Sequence, residues 1–168
     1  MDLNEKEKGN NIGRPRIYLE TTMFNYFFDE ERGEAHRYTV RLFEMIEREM
    51  FKAYTSRYVT KELKEAEEPK CSRMMELIDT YGITILDEGD EIERMGRLYI
   101  ERGIIPKKFP ADARHIAIAT VNGLDIIVSM NLKHIVKRKT IEMTGPINIE
   151  NGYDVIKIRS PKEVVENA

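Results

Sequence analysis

The chain has 168 residues, 34% of them charged and 41% hydrophobic, and its 27 basic and 30 acidic side chains give a net charge of −3. This length supports one domain with a sizeable core, and the slight negative charge excludes a protein that binds nucleic acid through a globally basic surface. Cys71 is the single cysteine, so no internal disulfide can form and a reducing compartment is expected.

The N-terminal residues are polar and hold no apolar stretch of the kind that directs export. Their composition predicts a flexible tail over residues 1–14, followed by a single domain over residues 15–168. No apolar run approaches the roughly 20 residues that are needed to cross a bilayer. We therefore expect a cytoplasmic protein without membrane contact.

The first half of the chain alternates between strand and helix patterns. The first predicted elements are a strand over residues 16–20 and a helix that opens in the aromatic segment 23–28. An amphipathic helix follows, with Thr39, Leu42, Phe43, Ile46 and Met50 on its apolar face. A strand over residues 52–55 then leads to a helix that Ser56 caps and that ends at Pro69.

The second half continues this alternation. A helix with Cys71, Met74, Met75 and Ile78 inward ends at Gly82 and is followed by a strand over residues 83–86. Next come a helix with Ile92, Met95 and Tyr99 inward that ends at Gly103, and a helix from Pro110 to Gly123. The last elements are an apolar strand over residues 125–129, a half-buried strand over residues 153–158, and a helix that opens with a capping box at Ser160. Cys71 is thereby interpreted as a packing residue. The alternation predicts a three-layer α/β/α sandwich with a mainly parallel central sheet.

Four polar residues lie where predicted strands end or helices open: Glu20, Glu62, Asp112 and Asn131. Singly, each has a structural explanation. Asp112 favours a helix N-terminus, Glu62 suits a solvated helix face, Glu20 suits a surface ion pair, and Asn131 suits a turn. Together they predict a cluster of oxygen ligands at one sheet edge, which is typical of hard divalent cations.

The joint pattern resembles the PIN-domain family of metal-dependent ribonucleases, in particular its VapC-type toxin-like branch. The resemblance covers about residues 16–166, and its most specific parts are the Asp-Ala-x-His-Ile-Ala and Asn-x-Lys-His motifs. The matching segments are YLETT (18–22), TSRYVTKE (55–62), ADARHIAIA (111–119), DIIVSMNLKH (125–134) and SPKEVV (160–165). A PIN-like fold over residues 15–168 is implied.

The resemblance also implies hydrolysis of RNA phosphodiester bonds with Mg²⁺ or Mn²⁺ as cofactor. The cation would lower the pKa of a bound water and neutralise charge on the attacked phosphate, so no covalent protein nucleophile is needed. Thr21 or Thr22 would orient a carboxylate or a bound water through its hydroxyl. The implied catalytic residues are Glu20, Glu62 and Asp112, and the implied metal ligands are these three with Asn131 as a neutral fourth.

Two of these positions depart from the family pattern. Aspartate is usual where Glu20 stands, and aspartate is frequent where Asn131 stands. The extra methylene shifts a carboxylate near an ion that tolerates little distortion, and the amide brings no charge, so weaker metal affinity is expected. The alternative function is a degenerate PIN-like module that binds RNA or a protein partner without cleaving. A flavodoxin-like protein is less favoured because no glycine-rich phosphate loop is present.

The expected partners are RNA, an antitoxin protein and a second copy of the chain. Homodimer formation rests on family habit and on the aromatic segment 24–28. The basic run over residues 133–139 is either a solvated face or a phosphate contact, and Lys133 and His134 are the candidate RNA-binding residues. His115, which could approach Asp112, and His134 are interpreted as hydrogen-bonded structural histidines, with general-base catalysis as the alternative.

Overall fold

The computed structural model describes residues 13–168 and contains a five-stranded sheet in which every pair of neighbours is parallel. The strands lie in the order β3-β2-β1-β4-β5. Their bounds are β1 Arg16–Leu19, β2 Lys52–Ser56, β3 Thr84–Leu86, β4 Ile126–Val128 and β5 Lys157–Arg159. The predicted parallel sheet is confirmed.

Helices cover both faces of this sheet. Connections between parallel strands are almost always right-handed, which with this strand order assigns α1 to α4 to one face and α5 to α7 to the other. Helix α8 packs against α2, and α5 packs against α6. The bounds are α1 Thr21–Phe28, α2 Glu34–Glu47, α3 Arg57–Leu63, α4 Lys70–Thr80, α5 Asp90–Glu101, α6 Pro110–Val121, α7 Arg138–Glu150 and α8 Pro161–Glu166, with a 3₁₀ turn at Glu30–Arg32. The fold is therefore the predicted three-layer α/β/α sandwich.

The core is built around the central strand and an aromatic cluster. The whole of β1 is buried, as expected for a strand covered on both faces. Beside it, Phe43 of α2 makes edge-to-face contacts with Phe24, Phe27 and Tyr81, at ring-centroid distances of 6.2, 4.9 and 5.0 Å. This cluster, which we call the aromatic cluster, fixes α1 against α2. Within the aromatic segment 24–28, Phe24 is buried and Phe27 packs in the cluster, while Phe28 is exposed.

Local sequence signals placed several helix ends correctly. The Ser56 hydroxyl accepts a hydrogen bond from Val59 N and caps α3. Ser160 and Glu163 form the predicted capping box of α8. Gly82 and Gly123 follow α4 and α6 with φ of 62° and 63°, a left-handed conformation that glycine adopts without a Cβ clash.

Other predicted boundaries are wrong. Met50 does not belong to the apolar face of α2, since that helix ends at Glu47 and Met50 is 42% exposed. The helix after β2 ends at Leu63, before Pro69. The strand over residues 153–158 is reduced to Lys157–Arg159. Here Tyr153 N donates to Asn148 O and the Asn148 side chain donates to Asp154 O, which ties this segment to α7.

Helix α7 was missed because Gly145 and Pro146 lie inside it, and such residues normally interrupt a helix. Tertiary contacts override this local preference. Asn148 is fully buried and bonds to the Tyr99 hydroxyl of α5 and the Thr120 hydroxyl of α6.

The predicted N-terminal tail lies outside the described residues, except for Gly13 and Arg14. Within residues 13–168, no helix has both the length and the apolar character that crossing a bilayer demands.

Candidate functional site

The predicted site residues lie at the carboxyl edge of the sheet, around the point where its strand order reverses. The chain moves outward from β1 through β2 to β3 and then returns to β4 on the other side of β1. Crevices at such switch points are the usual ligand sites of open α/β sheets. Glu20 follows β1, Glu62 lies on α3 directly after β2, Asn131 follows β4, and Asp112 lies in the first turn of α6.

Glu20 is 4% exposed and caps α1 with its side chain. Its Oε2 accepts hydrogen bonds from Thr22 N at 3.2 Å, from Thr22 Oγ1 at 2.6 Å and from Ser129 Oγ at 2.7 Å. Its Oε1 receives no hydrogen bond from residues 13–168. One carboxylate oxygen is therefore fixed by three donors, while no donor within residues 13–168 engages the other.

Glu62 likewise has one carboxylate oxygen that accepts hydrogen bonds and one that does not. Its Oε1 accepts from Thr21 Oγ1 at 3.1 Å and lies 2.7 Å from His115 Nε2, while its Oε2 receives no hydrogen bond within the described chain. Burial by itself raises the pKa of Glu62, but the hydrogen bond and charge interaction with His115, together with the Thr21 hydrogen bond, hold the pKa below its ordinary value. Glu62 is therefore a carboxylate at neutral pH.

Behind Glu62 runs a buried chain of hydrogen bonds. His115 Nδ1 lies 2.8 Å from the Tyr18 hydroxyl, which lies 2.9 Å from Ser56 Oγ. Burial raises the pKa of Tyr18 well above its ordinary value, so the phenol keeps its proton. Each hydroxyl in this chain can donate or accept, so the direction of its hydrogen bonds follows from which imidazole nitrogens carry protons. This chain fixes the imidazole and, through it, the carboxylate.

The lowered pKa of Glu62 predicts a loss of stability in acid. Its pKa in the folded chain lies below the ordinary value of 4.5, so the folded state favours the carboxylate. The stabilisation is present above that value and is lost as pH falls through the folded pKa. We expect Glu62→Gln to reduce the fall in unfolding free energy between about pH 5 and about pH 3, as measured by urea unfolding at stepped pH.

The control for this measurement is Glu76→Gln, which changes an exposed glutamate of α4. It should leave the acid dependence as in the unmodified chain. Equal acid dependence for Glu62→Gln and the unmodified chain would contradict the role assigned to His115 and Thr21.

Asp112 belongs to a second hydrogen-bonded group. Its Oδ1 accepts from Asn131 Nδ2 at 3.0 Å, and its Oδ2 lies 2.9 Å from His134 Nδ1. Asn131 Oδ1 accepts from His134 N at 3.1 Å. Ser129 Oγ accepts from Asn131 N at 2.9 Å while donating to Glu20. Ser129 therefore connects the Glu20 and Asp112 groups across the switch point.

The structure refines the sequence-based set. Both threonines bind carboxylates, Thr21 that of Glu62 and Thr22 that of Glu20. His115, expected near Asp112, instead contacts Glu62. Ser129 was missed, although a hydroxyl at the end of an otherwise apolar strand was a visible signal. Lys133 is exposed beside this edge.

The donor set matches Mg²⁺ or Mn²⁺ in kind, since carboxylate and amide oxygens are their usual ligands. Glu20 Oε1 and Glu62 Oε2 have no competing donor within the described residues. Both Asp112 oxygens, in contrast, are engaged by Asn131 and His134. In residues 13–168 no group of three or more His, Cys, Asp or Glu side chains is placed to hold a metal ion. Coordination by Asp112 would therefore use the second lone pair of an oxygen that already accepts a hydrogen bond.

Comparisons with known proteins bear on the fold. No protein-family model matches the chain, and no curated protein matches it in sequence. A similar solved structure is a chain in the crystal structure of VapBC2 from Rickettsia felis bound to a DNA fragment from their promoter. The TM-score is 0.50 at 12% identity, and the match covers 86% of this chain and 98% of the other. At that identity the likeness shows a shared fold.

Proposed function

We propose that this protein is a metal-dependent endoribonuclease in which Glu20, Glu62 and Asp112 hold Mg²⁺ or Mn²⁺ and Asn131 contributes a neutral oxygen. The observation that carries the proposal is the placement of Glu20, Glu62 and Asp112 at the carboxyl edge of a parallel sheet, near its switch point, where each accepts hydrogen bonds from neighbouring segments. Donors engage one oxygen each of Glu20 and Glu62, while the second oxygen of each accepts no hydrogen bond from the described residues and is free to bind a cation.

The surrounding side chains would hold the carboxylates in place. Thr22 and Ser129 orient Glu20, and Thr21 and His115 orient Glu62. Donors of this kind fix the direction of ligand oxygens before a cation binds, which reduces reorganisation during the reaction. A bound cation would polarise both the phosphodiester and the attacking water. Lys133 and His134 would contact the RNA at the same edge.

We further propose that the protein acts as the toxin of a toxin–antitoxin pair. Support comes from the VapC-type motifs in the sequence and from the fold that is shared with a chain of VapBC2. An antitoxin protein is accordingly a proposed partner, and a homodimer is a proposed assembly.

The second candidate is a PIN-like module that binds RNA or a protein without cleaving it. The engaged oxygens of Asp112 favour it, as do the longer side chain at Glu20 and the uncharged amide at Asn131. In this case Asp112 serves as an acceptor that fixes the loop after β4.

Metal binding and cleavage separate the two candidates. We expect Mn²⁺ to bind the purified chain in calorimetry, and we expect a labelled RNA to be cut in Mn²⁺ or Mg²⁺ and left intact in EDTA, because the cation supplies the charge stabilisation. Glu20→Gln should weaken Mn²⁺ binding about tenfold or more, since it removes one ligand charge. Absence of both Mn²⁺ binding and cleavage would favour the non-cleaving module.

A further inference from the structure

An exposed aromatic ring lies beside the candidate site. Phe109 directly precedes α6 and is 42% exposed. Its ring lies over that of His134, with a centroid distance of 4.1 Å and an interplanar angle of 31°. The same His134 ring contacts Asp112 at 2.9 Å. We propose that Phe109 is a stacking platform for a base of single-stranded RNA, with His134 as its support, an inference that rests on the proposed ribonuclease function.

The support beneath Phe109 is held firmly. His134 Nδ1 is tied to Asp112, His134 N donates to Asn131 Oδ1 at 3.1 Å, and the Thr140 hydroxyl donates to His134 O at 2.5 Å. Because these contacts hold the His134 ring in place, the Phe109 ring that stacks on it is restricted in its rotation. Phe109 is therefore presented in a fixed orientation, which reduces the entropy lost when a base binds.

The loop that carries Phe109 is also restrained. Pro106 and Pro110 flank it, and Phe109 N donates to Pro106 O at 3.0 Å. Ile104 and Ile105 are buried and anchor its start. Proline fixes its own φ and limits the residue before it, so the ring is displayed by a stiff segment.

Exposed lysines lie close in sequence to both rings of the platform. Lys107 and Lys108 immediately precede Phe109, and Lys133 and Lys137 flank His134 in sequence; all four are exposed. None of the four forms an ion pair with another side chain of residues 13–168, whereas many other basic residues of the chain do. Unpaired lysines beside an exposed aromatic ring are typical of single-strand binding surfaces, which combine phosphate contacts with base stacking.

The charge pattern decides between a nucleic acid and a protein partner. An exposed phenylalanine alone would also suit a protein interface, whose centre is depleted in charge. Four exposed lysines without ion pairs, close in sequence to Phe109 and His134, instead favour a polyanion. Stacking needs an unpaired base face, so the proposed substrate is single-stranded RNA and not a duplex. Phe109 is joined to Asp112 by the hydrogen bond from Asp112 N to Phe109 O, at 3.1 Å, so a base on Phe109 would set the register of the strand at the candidate site.

The chain contains no tryptophan, so Phe109→Trp introduces a unique fluorophore at the platform. We expect titration with a 12-nucleotide single-stranded RNA in EDTA to quench this emission, and a strand with abasic sugars to leave it unchanged. The matched control is Phe28→Trp, since Phe28 is similarly exposed, at 38%, at the end of α1. Equal quenching by the abasic strand, or in the control variant, overturns the proposal.

Binding constants supply the second measurement. By fluorescence anisotropy in EDTA, Phe109→Ala should weaken binding of the labelled RNA roughly 5- to 100-fold, Phe109→Tyr should retain it, and neither should change binding of the abasic strand. Lys108→Ala should weaken both strands alike. Unchanged RNA affinity in Phe109→Ala overturns the proposal. If sedimentation of that variant also shows an altered oligomer, Phe109 is assigned to a protein contact instead.

These measurements test the stacking platform separately from the proposed ribonuclease activity. If RNA binding in EDTA depends on Phe109 but no Mn²⁺-dependent cleavage is found, the stacking platform is supported and the proposed catalytic function is contradicted. Cleavage with unchanged kcat and KM in Phe109→Ala supports the ribonuclease and overturns the platform.

Discussion

Asp112→Asn is expected to lower Mn²⁺-dependent RNA cleavage by at least about 100-fold, since it removes one of the three charges that would hold the cation and stabilise the developing charge. Asparagine has nearly the same shape and keeps an acceptor oxygen for one of the two present contacts, from Asn131 and His134. The fold should therefore persist. The measurement is the initial rate of cleavage of a labelled RNA, together with Mn²⁺ titration calorimetry on the same sample.

The matched control is Asp79→Asn, which changes an exposed aspartate of α4. It should cleave at the rate of the unmodified chain. A cleavage rate that survives in Asp112→Asn would contradict the proposed metal ligand. Thermal unfolding of both variants separates a catalytic loss from a folding defect.

Phe43→Ala is expected to reduce the free energy of unfolding by about 3–5 kcal/mol. Phe43 is fully buried, and its ring contacts the other three members of the aromatic cluster. Removing the ring loses buried apolar surface and leaves a cavity that the flanking rings cannot fill without moving. Such a loss is a large share of the 5–15 kcal/mol typical of a domain. Urea unfolding followed by circular dichroism measures it.

Phe28→Ala is the control for the cluster. Phe28 also contacts Phe27 edge-to-face, at 4.9 Å, but it is 38% exposed. Its replacement should cost no more than about 1 kcal/mol. Similar losses in the two variants would show that the aromatic cluster does not carry the stability assigned to it. Because the cluster fixes α1, Phe43→Ala should also disturb Glu20 and Thr22 at the start of that helix.

Much of the fold was predictable because its signals are local. Apolar runs gave the central strands, Ser56 and Ser160 gave two helix starts, and Gly82 and Gly123 gave two helix ends. The failures occurred where distant contacts outweighed local preference. Pro146 argued against α7, yet the buried contacts of Asn148 with α5 and α6 stabilise it.

The position of the site's polar residues at one sheet edge was predictable from the sequence, but their hydrogen-bond partners were not. The acidic residues of the site stand at strand and helix ends, and the parallel sheet brings such ends to one edge. The sequence spacing of these residues, however, did not indicate that Ser129 connects Glu20 with Asn131 or that His115 forms a hydrogen bond with Glu62. These partners lie tens of residues apart in the chain, and only the packing of side chains selects among them.

The sequence by itself therefore determined the α/β class, the parallel sheet and the set of polar residues at its carboxyl edge, because periodicity, capping and strand ends are encoded within short segments. Tertiary structure alone decided which donors hold each carboxylate, that both Asp112 oxygens are engaged, and that Phe109 lies over His134. Hydrogen bonds and ring contacts depend on distances of a few ångströms between segments far apart in the chain, and those distances exist only once the layers have packed.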